Sequence, residues 1–190
     1  MVQTAEGGLD EISNMLTRLR ELSIQSASDT VGDTERQFTD MEYQNLKQEI
    51  ERISQVTEFN GTKLLAGQGD KLDFQIGTNN DQFQDRISYD VANTNASIES
   101  LGINDISVGN KEGAQTALQT IDNAIEKVSG QRAGLGAIQN RLISTSNNLQ
   151  TTSENLSAAN SRIRDVDYAQ VSAENAKNNI LNQAGTAVLA

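Results

Sequence analysis

The sequence predicts a mainly α-helical fold, an elongated antiparallel helical bundle or coiled coil with one β-hairpin. Three observations carry that expectation. Apolar residues recur every seven positions at Ile121, Val128, Leu135, Leu142, Leu149, Leu156 and Ile163, the period of a helix supercoiled against a partner. At about 1.5 Å per residue this seam spans roughly 60 Å. Proline is absent from all 190 residues, so no ring interrupts a helical hydrogen-bond ladder. Hydrophobic residues make up 36% and aromatics only 4%, too little for a thick core but enough for thin helical layers.

The elements follow in chain order. From about residue 4 to 27, Leu9, Ile12, Leu16, Leu19 and Leu22 step by three or four, the helical pattern. Thr4, Gly7 and Gly8 make a soft start at which fraying is expected. Residues 28–33 are turn-rich, and Asp33 or Thr34 is placed to cap a second helix over about 34–57, with Glu35 facing the positive end of its dipole. Phe38, Met41, Tyr43, Leu46, Ile50 and Ile53 mark its apolar positions. Asn60-Gly61 then supplies a tight turn.

The period changes to two over about residues 71–92. Leu72, Phe74 and Ile76 alternate with polar residues, as do Ile87, Tyr89 and Val91 after a polar loop, predicting a hairpin with one buried face. Residues 93–110 read as loop with short extended pieces at 101–103 and 106–108. The long helix is expected over about 111–164. Gly130, Gly134 and Gly136 weaken it by up to about 1 kcal/mol each, and close approach of a partner helix is the expected reason for them. A second line of positions, Ala124, Gln131, Ile138, Thr145, Thr152 and Ala159, is small or polar and fits a device for fixing register. Asp165-Val166-Asp167 reads as a joint, and residues 168–190 as a helix-prone segment that frays without a partner.

Composition excludes much chemistry. With no Cys and no His there is no thiol nucleophile, no disulfide and no imidazole base or ligand. No enzyme activity, cofactor or metal is expected. A net charge of −11 opposes nucleic acid and anionic membranes as partners, since both require a basic face. No apolar run approaches a membrane span, and the opening MVQTAEGG lacks the parts of a cleavable signal. Asn79, Asn80, Asp81 and Asp85 offer hard oxygens, but their spacing misses the twelve-residue calcium loop, and a solvated turn is the plainer reading.

Several stretches together resemble one family. Leu16-Thr17-Arg18-Leu19-Arg20-Glu21-Leu22-Ser23-Ile24-Gln25-Ser26-Ala27 resembles the N-terminal conserved segment of bacterial flagellins, and Glu58-Phe59-Asn60-Gly61-Thr62-Lys63-Leu64-Leu65 the turn after it. The segments 135–142 and 155–163, Asp167-Tyr168 and the ending 183–190 resemble the C-terminal conserved segment. The matches run in family order over nearly the whole chain. The resemblance implies a core rod domain over residues 1–164, and residues 165–190 as the truncated start of an inner-tube helix. It also implies a further N-terminal helix and a short C-terminal tail that this sequence lacks, so poor polymerisation of this chain is expected. Between hairpin and long helix there is no room for a large variable domain.

The function implied is a structural subunit of the flagellar filament, extracellular and exported without a cleavable signal peptide. Other flagellin subunits are the implied partners, with a secretion chaperone for the full-length protein. The resemblance further implies recognition by vertebrate Toll-like receptor 5, with contacts carried over to Arg18, Leu22 and Glu42. Arg18, Leu22 and Gln25 lie at i, i+4 and i+7, one helical face, on which Leu22 is expected to be exposed beside the guanidinium. The alternative is a secreted coiled-coil tip or needle component of a type III secretion system, which would lack the Leu72–Val91 hairpin.

Overall fold

The structure, a computed structural model, describes residues 1–164 and 168–189; the expected joint at 165–167 lies outside the described residues. The chain divides into two compact units, Met1–Leu142 and Ile143–Ala190.

In the first unit, α1 (Val2–Ala27) and α2 (Asp33–Val56) pack with the N-terminal part of α4 (Lys111–Arg164). Ion pairs fix the directions. Asp29 meets Lys111, Arg20 meets Asp122, and Glu6 and Asp10 both meet Arg132; numbers fall along α1 as they rise along α4, so the two run antiparallel. The core beneath is Leu9, Ile12, Leu16, Leu19 and Leu22 of α1, Tyr43 and Ile50 of α2, and Ala114, Ala117, Ile121, Ala124, Val128 and Leu135 of α4. Alanines on α4 leave room for the larger α1 side chains, so a core poor in aromatics still closes.

Helix α1 begins at Val2, ahead of the soft start expected at Gly7 and Gly8, and Val2 and Ala5 are buried. The reason lies in packing. A Cβ on Gly8 would come within 2.7 Å of Leu65 Cδ1 and 2.9 Å of Thr57 Oγ1, whereas one on Gly7 would meet nothing. Thr57 Oγ1 is itself held by donation to Ile53 O at 2.7 Å. Gly8 therefore admits the Thr57 and Leu65 side chains against α1, and burial outweighs its low propensity. Gly7→Ala is expected to raise stability by about 0.5–1 kcal/mol, while Gly8→Ala lowers it by about 1–2 kcal/mol through overpacking; thermal unfolding of the two variants checks the opposite signs.

At the end of α1, Arg36 takes the role a glycine cap often plays. Its Nε donates to Ser26 O and its Nη2 to Ser28 O, both at 2.9 Å, while Nη1 pairs with Asp33 at 2.8 Å. The guanidinium is buried at the negative end of the helix dipole. The cap of α2 is Gly32 rather than Asp33 or Thr34, because the Asp33 carboxylate is used on Arg36. The buried line of α2 runs through Arg36, Thr39, Tyr43, Lys47, Ile50 and Ser54. Phe38 and Met41, read as apolar positions of this helix, are exposed.

Two antiparallel hairpins follow where one was expected. Asn60 and Gly61, with φ of 52° and 77°, close a turn between β1 (Glu58–Phe59) and β2 (Thr62–Lys63), the left-handed pair a two-residue hairpin loop requires. The larger pairs β3 (Lys71–Gln75) with β4 (Arg86–Asp90), Leu72 opposite Tyr89 and Phe74 opposite Ile87. Ile87, Tyr89 and Val91 are buried, as the period-two pattern requires.

The 93–110 segment is more ordered than its loop reading. Residues 91–94 form a 3-10 turn, and α3 (Ile98–Leu101) is capped at one end by Ser97 Oγ and at the other by Gly102 in the left-handed region. Lys47 and Asp40 of α2 staple the rest. Lys47 Nζ donates to Asn104 O at 2.6 Å and Ile106 O at 2.9 Å, and Asp40 accepts from Val108 N at 2.7 Å. Burial lowers the pKa of the Lys47 ammonium, partly offset by Asp40 and Asp105.

The second unit holds the rest of α4 and α5 (Tyr168–Leu189). The segment expected to fray is helical over 168–189, as its Ala, Asn, Gln and Lys content permits. Large apolar residues of this unit, including Leu149, Leu156 and Ile163 of α4 and Val171 and Ile180 of α5, are exposed.

Candidate interaction surfaces

The seam changes character along its length. Ile121, Val128 and Leu135 are fully buried and Leu142 is partly buried. Leu149, Leu156 and Ile163 are 48%, 66% and 87% exposed. One unbroken repeat thus fills a core over its first half and presents an apolar stripe over its second.

On α1 and α2, Arg18 and Glu42 are brought together. Arg18 Nε and Nη2 donate to Glu42 Oε1 at 3.0 and 2.8 Å, and Nη1 donates to Glu21 at 3.0 Å. Hydrogen bonds to Glu21 first and Glu42 second push the Arg18 pKa up. Leu22 does not join them. At 2% exposure it belongs to the core with Leu19, because the α1–α2 contact widens the buried stripe by one position. The exposed leucine expected beside Arg18 is therefore corrected.

The glycines of α4 also differ from expectation. A Cβ at Gly130, Gly134 or Gly136 would meet nothing, so no helix within the described residues approaches them. Gly130 and Gly134 instead line a groove of about 470 Å³ between the larger hairpin and α4, walled by Tyr89, Leu135 and Ile138. Lys71 and Lys127 also line it. Gln131 Nε2 donates to Asn95 O there, but its buried Oε1 has no hydrogen-bond partner.

The hairpin loop directs its oxygens at its own backbone. Asp81 Oδ1 accepts from Phe83 N and Gln84 N, both at 2.8 Å, and Asp85 Oδ2 accepts from Asp81 N at 3.0 Å. The two backbone donors hold the Asp81 carboxyl below its usual range. Asn80 Oδ1 is taken by Arg86. No group of three or more carboxylates suited to a metal occurs among the described residues.

Sequence reasoning missed Arg36, Lys47 and the groove. An Arg or Lys in a polar-looking helix carries no periodic signal, and the carbonyls they bind lie 10, 57 and 59 residues away in the cases of Ser26, Asn104 and Ile106.

Antiparallel helices with a heptad seam that runs from buried core to exposed stripe define a helical packing fold. The bacterial flagellin N-terminal helical region matches residues 1–70, and the bacterial flagellin C-terminal helical region matches residues 118–190. The flagellin of Halalkalibacterium halodurans is 42% identical over 190 residues, covering all of this chain and 69% of that protein. The flagellin of Bacillus subtilis is 42% identical over 222 residues, covering all of this chain and 72% of that protein. The crystal structure of Bacillus cereus flagellin superposes with a TM-score of 0.68 at 30% identity, over 83% of this chain and 89% of that one. The chain belongs to the bacterial flagellin family, structural subunits of the flagellar filament.

Proposed function

We propose that this chain acts outside the cell, in the filament, purely by packing and without turnover, after export that uses no cleavable signal and, for the full-length protein, a secretion chaperone. In this reading residues 1–164 form the core rod domain and 165–190 begin an inner-tube helix. The observation that carries it is the exposed half of the seam. A stripe at Leu149, Leu156 and Ile163 that continues a buried heptad repeat is an apolar face in need of a partner helix. Sedimentation with and without full-length flagellin seeds, followed by electron microscopy of the pellet, tests it. Partial co-sedimentation, well below that of full-length flagellin, is expected; a chain that stays wholly soluble with seeds overturns assembly by this chain.

A second reading concerns Toll-like receptor 5. The exposed Arg18–Glu42 pair supports a contact there, whereas Leu22, which is buried, lends it no support. Arg18→Ala is expected to cost about 1–3 kcal/mol of receptor binding. Unchanged affinity in a titration with the receptor ectodomain would take Arg18 out of the site.

A further inference from the structure

The hairpin loop carries a feature that its own packing does not require. Phe83 is 93% exposed, the most exposed large apolar side chain among the described residues, in a chain with only four phenylalanines. Single exposed apolar residues are ordinary on a surface. Here, though, the backbone that lifts the ring is fixed from several sides. Asp81 holds Phe83 N and Gln84 N, Asp85 holds Asp81 N, and Gln75 Nε2 donates to Gly77 O and Asn79 O at 2.8 Å each. Such a loop presents its aromatic with the ordering cost already met, the condition under which one side chain anchors an interface.

The groove at the other end of the same hairpin has the complementary features. Its volume of about 470 Å³ exceeds what a phenyl ring needs, and Tyr89, Leu135 and Ile138 give it an apolar patch among polar lining residues. Gly130 and Gly134 leave its α4 side open. Lys71, Lys127 and Asp90 line it, a net positive set in a chain that is acidic overall, and the loop brings the exposed Asp81. The unpartnered Gln131 Oε1 accepts one donor, and exposed side-chain amides at Gln82 and Gln84 flank the ring. The ring cannot fill its own groove. Lys71 and Asp90 mark the base of the hairpin, and five residues of strand separate that base from the tip, roughly 15 Å at 3.3 Å per residue.

We propose that Phe83 of one copy inserts into the Tyr89–Gly134–Ile138 groove of a second copy of this chain. Knob and hole lie on different parts of the surface, so the contact is heterologous and repeats without closing, the geometry of a filament. The inference rests on the filament reading above and adds to it a defined subunit contact.

The absence of cysteine makes the test direct. A Gln84→Cys chain, which keeps the Phe83 ring, is mixed with a differently tagged chain carrying Asn93→Cys at the exposed rim of the groove, oxidised under assembly conditions, and read both by non-reducing gel and by sedimentation. The mixed disulfide is expected to exceed either homodimer by about tenfold, as a hot-spot contact implies. Gly134→Leu, which fills the groove where a side chain meets no atom of its own chain, is expected to keep the parent melting temperature while losing co-sedimentation. Pelleting filaments without the mixed disulfide would overturn the docking and leave the filament reading standing. A mixed disulfide confined to soluble oligomers would support the docking and sink the filament reading; neither disulfide nor pellet would sink both.

Discussion

Leu135→Ala is expected to destabilise the protein by about 2–5 kcal/mol, whereas Leu156→Ala, the same substitution on the same helix and in the same heptad register, is expected to leave monomer stability within about 0.5 kcal/mol. The difference is burial. Leu135 sits in the core of the first unit among α1 and α4 side chains, and Leu156 is two-thirds exposed. Truncating the first opens a cavity that close-packed neighbours cannot fill. Truncating the second removes atoms that touch mostly water. The assembly readout should invert: Leu156→Ala should weaken incorporation into seeded filaments, because the apolar area it removes is area the partner would bury. Chemical denaturation followed by fluorescence of an introduced probe, or by circular dichroism, measures the first quantity, and sedimentation measures the second. Equal destabilisation by the two substitutions would show that the exposed half of the seam is covered within the monomer.

That contrast marks what a sequence does and does not disclose here. A seven-residue repeat reports that a helix has a face; it does not report what covers the face. Ile121 and Ile163 are equivalent in pattern and opposite in exposure. The alternating residues of 71–91 declared the larger hairpin for a similar reason, because period two is a local property. The smaller hairpin was equally local, written in Asn60-Gly61, but its strands are two residues each and too short to show alternation. Leu22 failed at the next level. Its helical face was read correctly from spacing, yet whether that face is core or surface depends on where α2 lies. Gly8 and Gly134 make the same point in opposite senses. Identical residues in helical context, one admits a neighbouring side chain and the other meets open space, and only the tertiary arrangement distinguishes them. Arg18 and Glu42 lie 24 residues apart, and the resemblance to a family placed them together before any local pattern could.

The second large effect is expected at Arg36, where sequence patterning pointed nowhere. Arg36→Met keeps the apolar stem in place and removes the fork, so its cost isolates the polar contacts. Two carbonyls at the end of α1, Ser26 O and Ser28 O, then lose their charged donor. Each such bond contributes about 1.5–3 kcal/mol when the donor is ionised, and the lost cation at the helix C-terminus adds about 0.3–1 kcal/mol. Water reaching the vacated end recovers part of this, so the net loss is expected near 3–4 kcal/mol. The Asp33 partner contributes little to the figure: its carboxylate is almost fully exposed and is rehydrated at once, as surface pairs are. Asp33→Ala should therefore cost well under about 1 kcal/mol, and that asymmetry distinguishes a helix cap from an ion pair. Arg36→Lys is the sharper variant, since it retains the charge but cannot span both carbonyls with a planar fork. If Lys restores full stability, charge at the helix end is the whole effect; if it recovers only a fraction, the geometry of the fork is what ties the α1–α2 turn to the core. Amide hydrogen exchange in residues 26–32 resolves the two, because a turn held by two bonds should exchange far more slowly than one held by a single flexible ammonium.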